Sequence, residues 1–380
     1  MSPAALIGWR VLAAGDLHDY VRLRAVCKHW SWSTVSPGGR GLRDRRFHPR
    51  RWMMLPEGHG LYPGHPDLRG FVRFFNLSTG AFVRAHLPLL RDHVTAVRLL
   101  HPFTGDVADL PPLDSLLPQM DYLLHSYPEA LKRGPLRTLS ASVSVTTTGI
   151  IIVMLFFSLL HVVAYATAGD WRWNLSDLKL SRPVSFQGKF YAMQYVFGKA
   201  PKVHIYQVDP PRPDATGALS PLPSPVKIAE CPMGKFWYAR HLIECGSDLL
   251  LVADDDASRT KLLVYRLADL VSGKFVPMTS IGDHALFLGE RCLSVSLSPN
   301  DNKGLPSISP NSIIGLKRLS SGPNYGAVFR LDEYHLNTGI WTPAGDGDIM
   351  QSPLPSPHML VHHIYACCQR KYWNKGIMFC

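Results

Sequence analysis

Leu99-Leu100-His101-Pro102-Phe103-Thr104-Gly105-Asp106-Val107 is the stretch on which the fold turns. An apolar pair is followed by a polar residue, a Thr-Gly turn and a return to apolar character. Phe74-Phe75-Asn76-Leu77-Ser78-Thr79-Gly80-Ala81-Phe82 precedes it with the same grammar, and Tyr334-His335-Leu336-Asn337-Thr338-Gly339-Ile340-Trp341 repeats it near the far end. Glycine tolerates the positive φ that tight turns demand, so each copy reads as strand, turn and returning strand. Gly188-Lys189-Phe190-Tyr191-Ala192 is a related phrase, and further strands are expected at Val203–Val208, Leu249–Ala253, Leu262–Leu267 and Ala285–Val295. Repeated β-meanders of about 40–50 residues predict a mainly β fold of the propeller type. The first two Thr-Gly turns, at Thr79 and Thr104, are only 25 residues apart. That is too short for a four-stranded blade, so the first repeat is expected to be shortened and to leave an incomplete blade. Pro210–Pro225, with six prolines, reads as a surface loop because strand signals resume after it.

Composition agrees with a globular chain of many short elements. Apolar residues make up 46% and charged residues 18%, and 30 glycines and 31 prolines supply turns throughout the 380 residues. Residues 1–52 hold ten Lys/Arg and three Asp, so +7 of the total +11 sits there. Such a run could face nucleic acid or act as a nuclear address. No aromatic residue interleaves Arg40–Arg46, so a solvated basic linker is the expectation and no nucleic-acid partner is expected. Seven cysteines without regular spacing do not form a disulfide framework, and Trp9-Arg10 interrupts the opening apolar stretch, so no signal peptide is expected. A reducing compartment follows, cytoplasmic or nuclear, in which the sequons at Asn76 and Asn174 stay unmodified.

Between Arg137 and Asp170 no charged residue occurs, and Gly149–Ala166 is long enough for a membrane helix. Against that stand the alternation of Ser142-Val143-Ser144-Val145, the β-branched Ile150–Val153, and the interruptions at Ser158 and His161. The second reading pairs Ile150–Phe157 with Val162–Thr167 as buried strands, and no membrane partner is expected.

Residues 4–35 have helical periodicity. Leu6, Ile7, Val11 and Leu12 recur at helical spacing in a first helix; Asp16 is a candidate cap for a second, whose apolar face is Leu17, Val21, Leu23, Val26, Cys27 and Trp30. The chain divides into a helical module (1–36), a basic linker (37–52) and a β-propeller domain (53–380), with the helices expected to pack apart from the propeller.

Catalytic signatures are missing: no phosphate-binding glycine loop, no nucleophile elbow, no His-Glu-x-x-His and no Cys-x-x-Cys. His362-His363 and Cys367-Cys368 lack zinc-ligand spacing and are expected in a terminal strand; Asp254-Asp255-Asp256 lacks calcium-loop spacing and is expected at a turn. Neither enzyme activity, a cofactor nor a metal is expected.

Asp16-Leu17-His18-Asp19-Tyr20-Val21-Arg22-Leu23-Arg24-Ala25-Val26-Cys27-Lys28-His29-Trp30 resembles the second half of a plant F-box. The phrases Arg73–Gly80, Ala96–Pro112, Arg182–Pro210, Lys261–Gly289 and Tyr334–Ile340 resemble the plant domain of unknown function 295, a KIB-type β-propeller. This resemblance implies a helical module that binds a Skp1-type adaptor and a propeller that captures a target protein for a cullin-based ubiquitin ligase. It places the adaptor contact on Leu17, Tyr20, Val21, Val26, Cys27 and Trp30. The chain departs from the family at Met1-Ser2-Pro3-Ala4-Ala5, where a Leu-Pro-x-Asp start is usual, and between Leu90 and Val97, where a hairpin is missing. The alternative is a propeller scaffold without adaptor binding.

Overall fold

The computed structural model describes residues 2–13, 17–49, 52–54, 71–77, 82–86, 97–125, 139–146, 149–157, 160, 162–176, 180–210, 212, 220, 223–289, 292–297, 308–322, 325–344 and 349–350. Three short helices come first: α1 (Pro3–Ala13), α2 (Leu17–Ala25) and α3 (Lys28–Ser33). They fall where periodicity predicts helix; the candidate cap Asp16 lies outside the described residues.

Strands then dominate. The first sheet is β1 (Trp52–Met54), β2 (Phe71–Asn76) and β3 (Phe82–His86), and β4 (Val97–Leu100) pairs with β5 (Val107–Leu110) as a ribbon. A helix, α4 (Leu117–Leu124), precedes the sheet β6 (Leu139–Val145), β7 (Ile151–Phe157), β8 (Val162–Thr167) and β9 (Asn174–Ser176). The next sheet runs β10 (Ser181–Phe186), β11 (Lys189–Val196), β12 (Lys202–Val208) and β13 (Val226–Pro232). It is followed by β14 (Tyr238–Cys245), β15 (Asp248–Asp254) and β16 (Leu262–Arg266). The last sheet, in order β18 (Leu293–Ser296), β17 (His284–Phe287), β19 (Ser312–Gly322), β20 (Tyr325–His335) and β21 (Ile340–Pro343), also takes β22 (Ile349–Met350) beside β20. The five sheets of three or more strands are the blades of a five-bladed propeller. Among the described residues all pairings are antiparallel except β17 with β19, which is parallel.

The apolar run resolves into the two-strand reading. β7 and β8 pair from Ile152↔Thr167 to Phe157↔Val162, and every residue of both strands is buried. Alternate side chains serve different interfaces. Ile151, Val153, Leu155 and Phe157 pack with Val162, Ala164 and Ala166 toward the ribbon and α4. Met154, Phe156, Val163 and Tyr165 pack toward Phe190, Ala192 and Val208 of the next blade. A strand covered on both faces has no place for a charge, which is why period-two alternation is missing. Among the described residues no helix is long and apolar enough to cross a membrane.

Local turn chemistry agrees with the expectation. Gly105 (φ 73°) and Gly339 (φ 70°) adopt positive φ in their Thr-Gly turns, while Thr79-Gly80 lies outside the described residues. The hairpins flanking Thr79 and Thr104 belong to successive sheets, not to one blade. Their 25-residue spacing therefore separates the three-stranded first blade from a ribbon that has two strands among the described residues. The expected missing hairpin between Asp92 and Val97 and the expected terminal strand after 350 lie outside the described residues. Pro210–Pro225 joins adjacent strands of one sheet, as a loop should.

Trp173 ties the ribbon to its neighbouring blade. Its side chain is fully buried, and its Nε1–H donates to the Pro111 carbonyl at 2.8 Å. Its own carbonyl accepts from Gln119 Nε2 at 2.8 Å. Trp173→Ala should cost about 3–5 kcal/mol, read as a lowered denaturation midpoint with unchanged cooperativity, because it opens a cavity and orphans the Pro111 oxygen.

Candidate functional site

The segment after the helices is docked, in contrast to a solvated linker. Leu42 is buried and Phe47 completely so. The Gly39 and Gly41 N–H groups donate to the two oxygens of Asp106, at 2.8 and 2.6 Å. Bonds to an ionised acceptor are about twice as strong as neutral ones, so this pair is a firm clip. His101, also buried, completes it: Nδ1 accepts from the Thr104 N–H at 3.1 Å, which leaves Nε2–H to donate to the Phe47 carbonyl at 2.9 Å. Phe103 lies among His18, Trp52 and Phe74 with ring centroids 5.3–6.0 Å apart. The phrase 101–106 is thus both a hairpin turn and the socket for the N-terminal module. The helices are packed onto the propeller and not apart from it. The linker's charge is also committed in part. Arg46 forks onto Asp44 and lies 4.7 Å over the Trp9 ring, and that bond holds the Asp44 carboxyl below its ordinary range.

The six residues assigned to an adaptor divide by location. Leu17 and Tyr20 are 1% and 2% exposed and pack with Leu12 and Phe47, with half-buried Val21 against them. The Tyr20 hydroxyl donates to the Val35 carbonyl at 2.7 Å. Arg24 reaches the Thr34 carbonyl and hydroxyl, which draws the segment after α3 against α2. These inward side chains hold the module together. Val26 is 65% exposed, Cys27 is an exposed free thiol at the start of α3, and Trp30 is half-buried. Three further exposed apolar side chains join the outward set: Leu6 and Ile7 on α1, and Trp32, 82% exposed, on α3. Leu6 and Ile7 were visible as periodic positions, whereas Trp32 lies off the apolar stripe and periodicity passes over it. Among the described residues no group of three or more His, Cys, Asp or Glu could hold a metal. Asp255 and Asp256 lie exposed just past β15, at the expected turn, but Asp254 is buried and bonded to Arg240.

A closed ring of antiparallel sheets stacked face to face defines a β-propeller. The chain belongs to the KIB1-4 beta-propeller family, whose pattern matches residues 72–327. Such propellers are typically non-catalytic protein-interaction domains. A search of curated proteins finds no match to the chain.

Two predictions test the clip. A Cβ on Gly41 would overlap Thr104 Oγ1, the Asp106 carboxylate and the His101 ring. Gly41→Ala should therefore destabilise the docked module by about 1–3 kcal/mol, seen as faster limited proteolysis within residues 1–49 while the propeller core stays protected. Acidification should act through His101, whose pKa burial pushes below the ordinary value of 6.5. The folded chain then binds this proton less readily than the unfolded chain. The contribution is fully present above the unfolded value and is lost as pH falls below it, with a slope of at most about 1.4 kcal/mol per pH unit. Denaturant titrations between pH 7.5 and 5.5 should show a smaller loss for His101→Asn than for the unaltered protein.

Proposed function

We propose that this protein is the substrate-recognition subunit of a Skp1–cullin–F-box type ubiquitin ligase in the cytoplasm or nucleus. The helical module contacts the adaptor, and the propeller captures the target. The observation that carries this reading is an outward apolar set, Leu6, Ile7, Val26, Cys27 and Trp32, on a helical module fixed to a propeller. Exposed apolar side chains at helix surfaces supply the anchors of helix-in-groove contacts. A second reading, a propeller scaffold without an adaptor, is favoured by the inward commitment of Leu17 and Tyr20.

Affinity capture of the tagged full-length chain, scored for a Skp1-type adaptor and a cullin, separates the two. The double variant Val26→Asp/Trp32→Asp should bind adaptor at least about tenfold more weakly with an unchanged thermal midpoint, since both side chains are solvent-facing. Undiminished binding would move the contact elsewhere. Capture of other proteins with neither adaptor nor cullin would favour the scaffold.

A further inference from the structure

β10 and β14, edge strands of successive blades, touch each other, and each carries a bulge. In β10 the register with β11 slips between Ser181 and Val184, which places Arg182 in the irregularity with φ 52°. In β14 the slip falls between Ala239 and His241, so Arg240 is the extra residue. Bulges re-aim side chains, and a non-glycine residue at positive φ stores strain that a site can use. Here the two irregularities bring their side chains together. Arg182 Nη1 lies 3.1 Å from His241 Nδ1, and a guanidinium only donates, so this imidazole nitrogen is an acceptor and the ring is neutral. Arg240 gives its Nε to buried Asp254 at 2.7 Å. Arg182 meets no carboxylate among the described residues, so the cluster carries two guanidinium charges against one acid. His241 is half-buried beside both guanidinium groups, and burial together with those charges holds its pKa well below the ordinary value.

An aromatic wall adjoins this cluster. β10 begins, β11 ends and β14 begins at the same end of the sheets. There Tyr195 stacks on Tyr238 (centroids 5.1 Å, planes 10°) and on Phe197 (6.1 Å, 12°), and its hydroxyl donates to the Ala239 carbonyl. Phe197 is 79% exposed and Trp237 53%. The nearby exposed acids are engaged, Asp255 by Lys261 and Asp256 by Ser258.

We infer that this end of the two blades binds a protein partner by receiving an acidic side chain on Arg182 and an adjacent aromatic or aliphatic side chain on Phe197 and Trp237. A carboxylate would complete the guanidinium's hydrogen bonds in a partly desolvated setting, and the exposed rings would lose water on contact. The inference rests on the propeller being the target-capturing part of the chain. It deepens that reading by naming the recognised chemistry.

The test titrates full-length protein with a capped peptide that carries glutamate beside phenylalanine in an alanine background, with its glutamine counterpart, and with inorganic phosphate. The glutamate peptide should bind at least about tenfold more tightly than the glutamine one, and Arg182→Gln should erase that preference. Phe197→Ser, at a position 79% exposed, should weaken the glutamate peptide several-fold while keeping the preference and the thermal midpoint. Equal binding of the two peptides, or an unchanged preference in Arg182→Gln, would overturn the proposal. Competition by phosphate at the peptide's own concentration, together with an unaffected Phe197→Ser, would leave an anion site without peptide recognition and would overturn it too. Adaptor capture by Arg182→Gln should equal that of the unaltered chain, so failure here and failure of the ligase reading are told apart.

Discussion

Burial of β7 and β8 on both faces is the constraint from which the architecture follows. A sheet with two apolar faces must be sandwiched, and each sheet that covers it presents a further face to be covered in turn. Ile151, Val153, Leu155 and Phe157 look one way and Met154 and Phe156 the other. The same division appears in β15, where Leu249, Leu251 and Ala253 pack with the preceding blade's core and Leu250 and Val252 with the following one. Repeating this arrangement around an axis closes a ring and leaves few strand edges uncovered. Each fully buried aliphatic or aromatic side chain contributes about 1.5–3 kcal/mol, so the stacking outweighs any single polar contact in the molecule.

The polar contacts act instead on placement. Asp106 and His101 bond mainly to main-chain atoms, and so they fix where the N-terminal segment runs without depending on which side chains it carries. This explains how a run of arginines can lie beside a folded domain. The main chain is anchored through Gly39, Gly41 and Phe47, while Arg40 and most of its basic neighbours stay at the surface. The bulges at Arg182 and Arg240 apply the same logic between successive blades: a local backbone irregularity decides which way a charged side chain points.

What the sequence disclosed was local. Thr-Gly turns at Gly105 and Gly339, the run at Ile151–Phe157 and the helices near Pro3–Ser33 depend on neighbours a few residues away, and turn chemistry or periodicity reveals them. Contacts across long stretches of chain stayed hidden. Asp106 accepts from groups 65 and 67 residues distant, and nothing in either segment alone announces that pairing. Periodicity likewise marked Leu17 and Val21 as one apolar face without revealing that the chain's own Phe47 packs there. The two bulges left no trace at all, because a one-residue slip shows only once partner strands are aligned.

The ribbon β4–β5 has a mechanical consequence. It is the narrowest sheet among the described residues, and its turn carries the clip that holds the segment after the helices. Two-stranded ribbons twist more readily than wide sheets. The helices therefore ride on the sheet that twists most readily, beside the wider blades. A few degrees of torsion there swing α1, about 16 Å long at 1.5 Å per residue over its 11 residues, as a lever arm. The molecule combines a rigid hub with an appendage whose aim is set at one soft hinge.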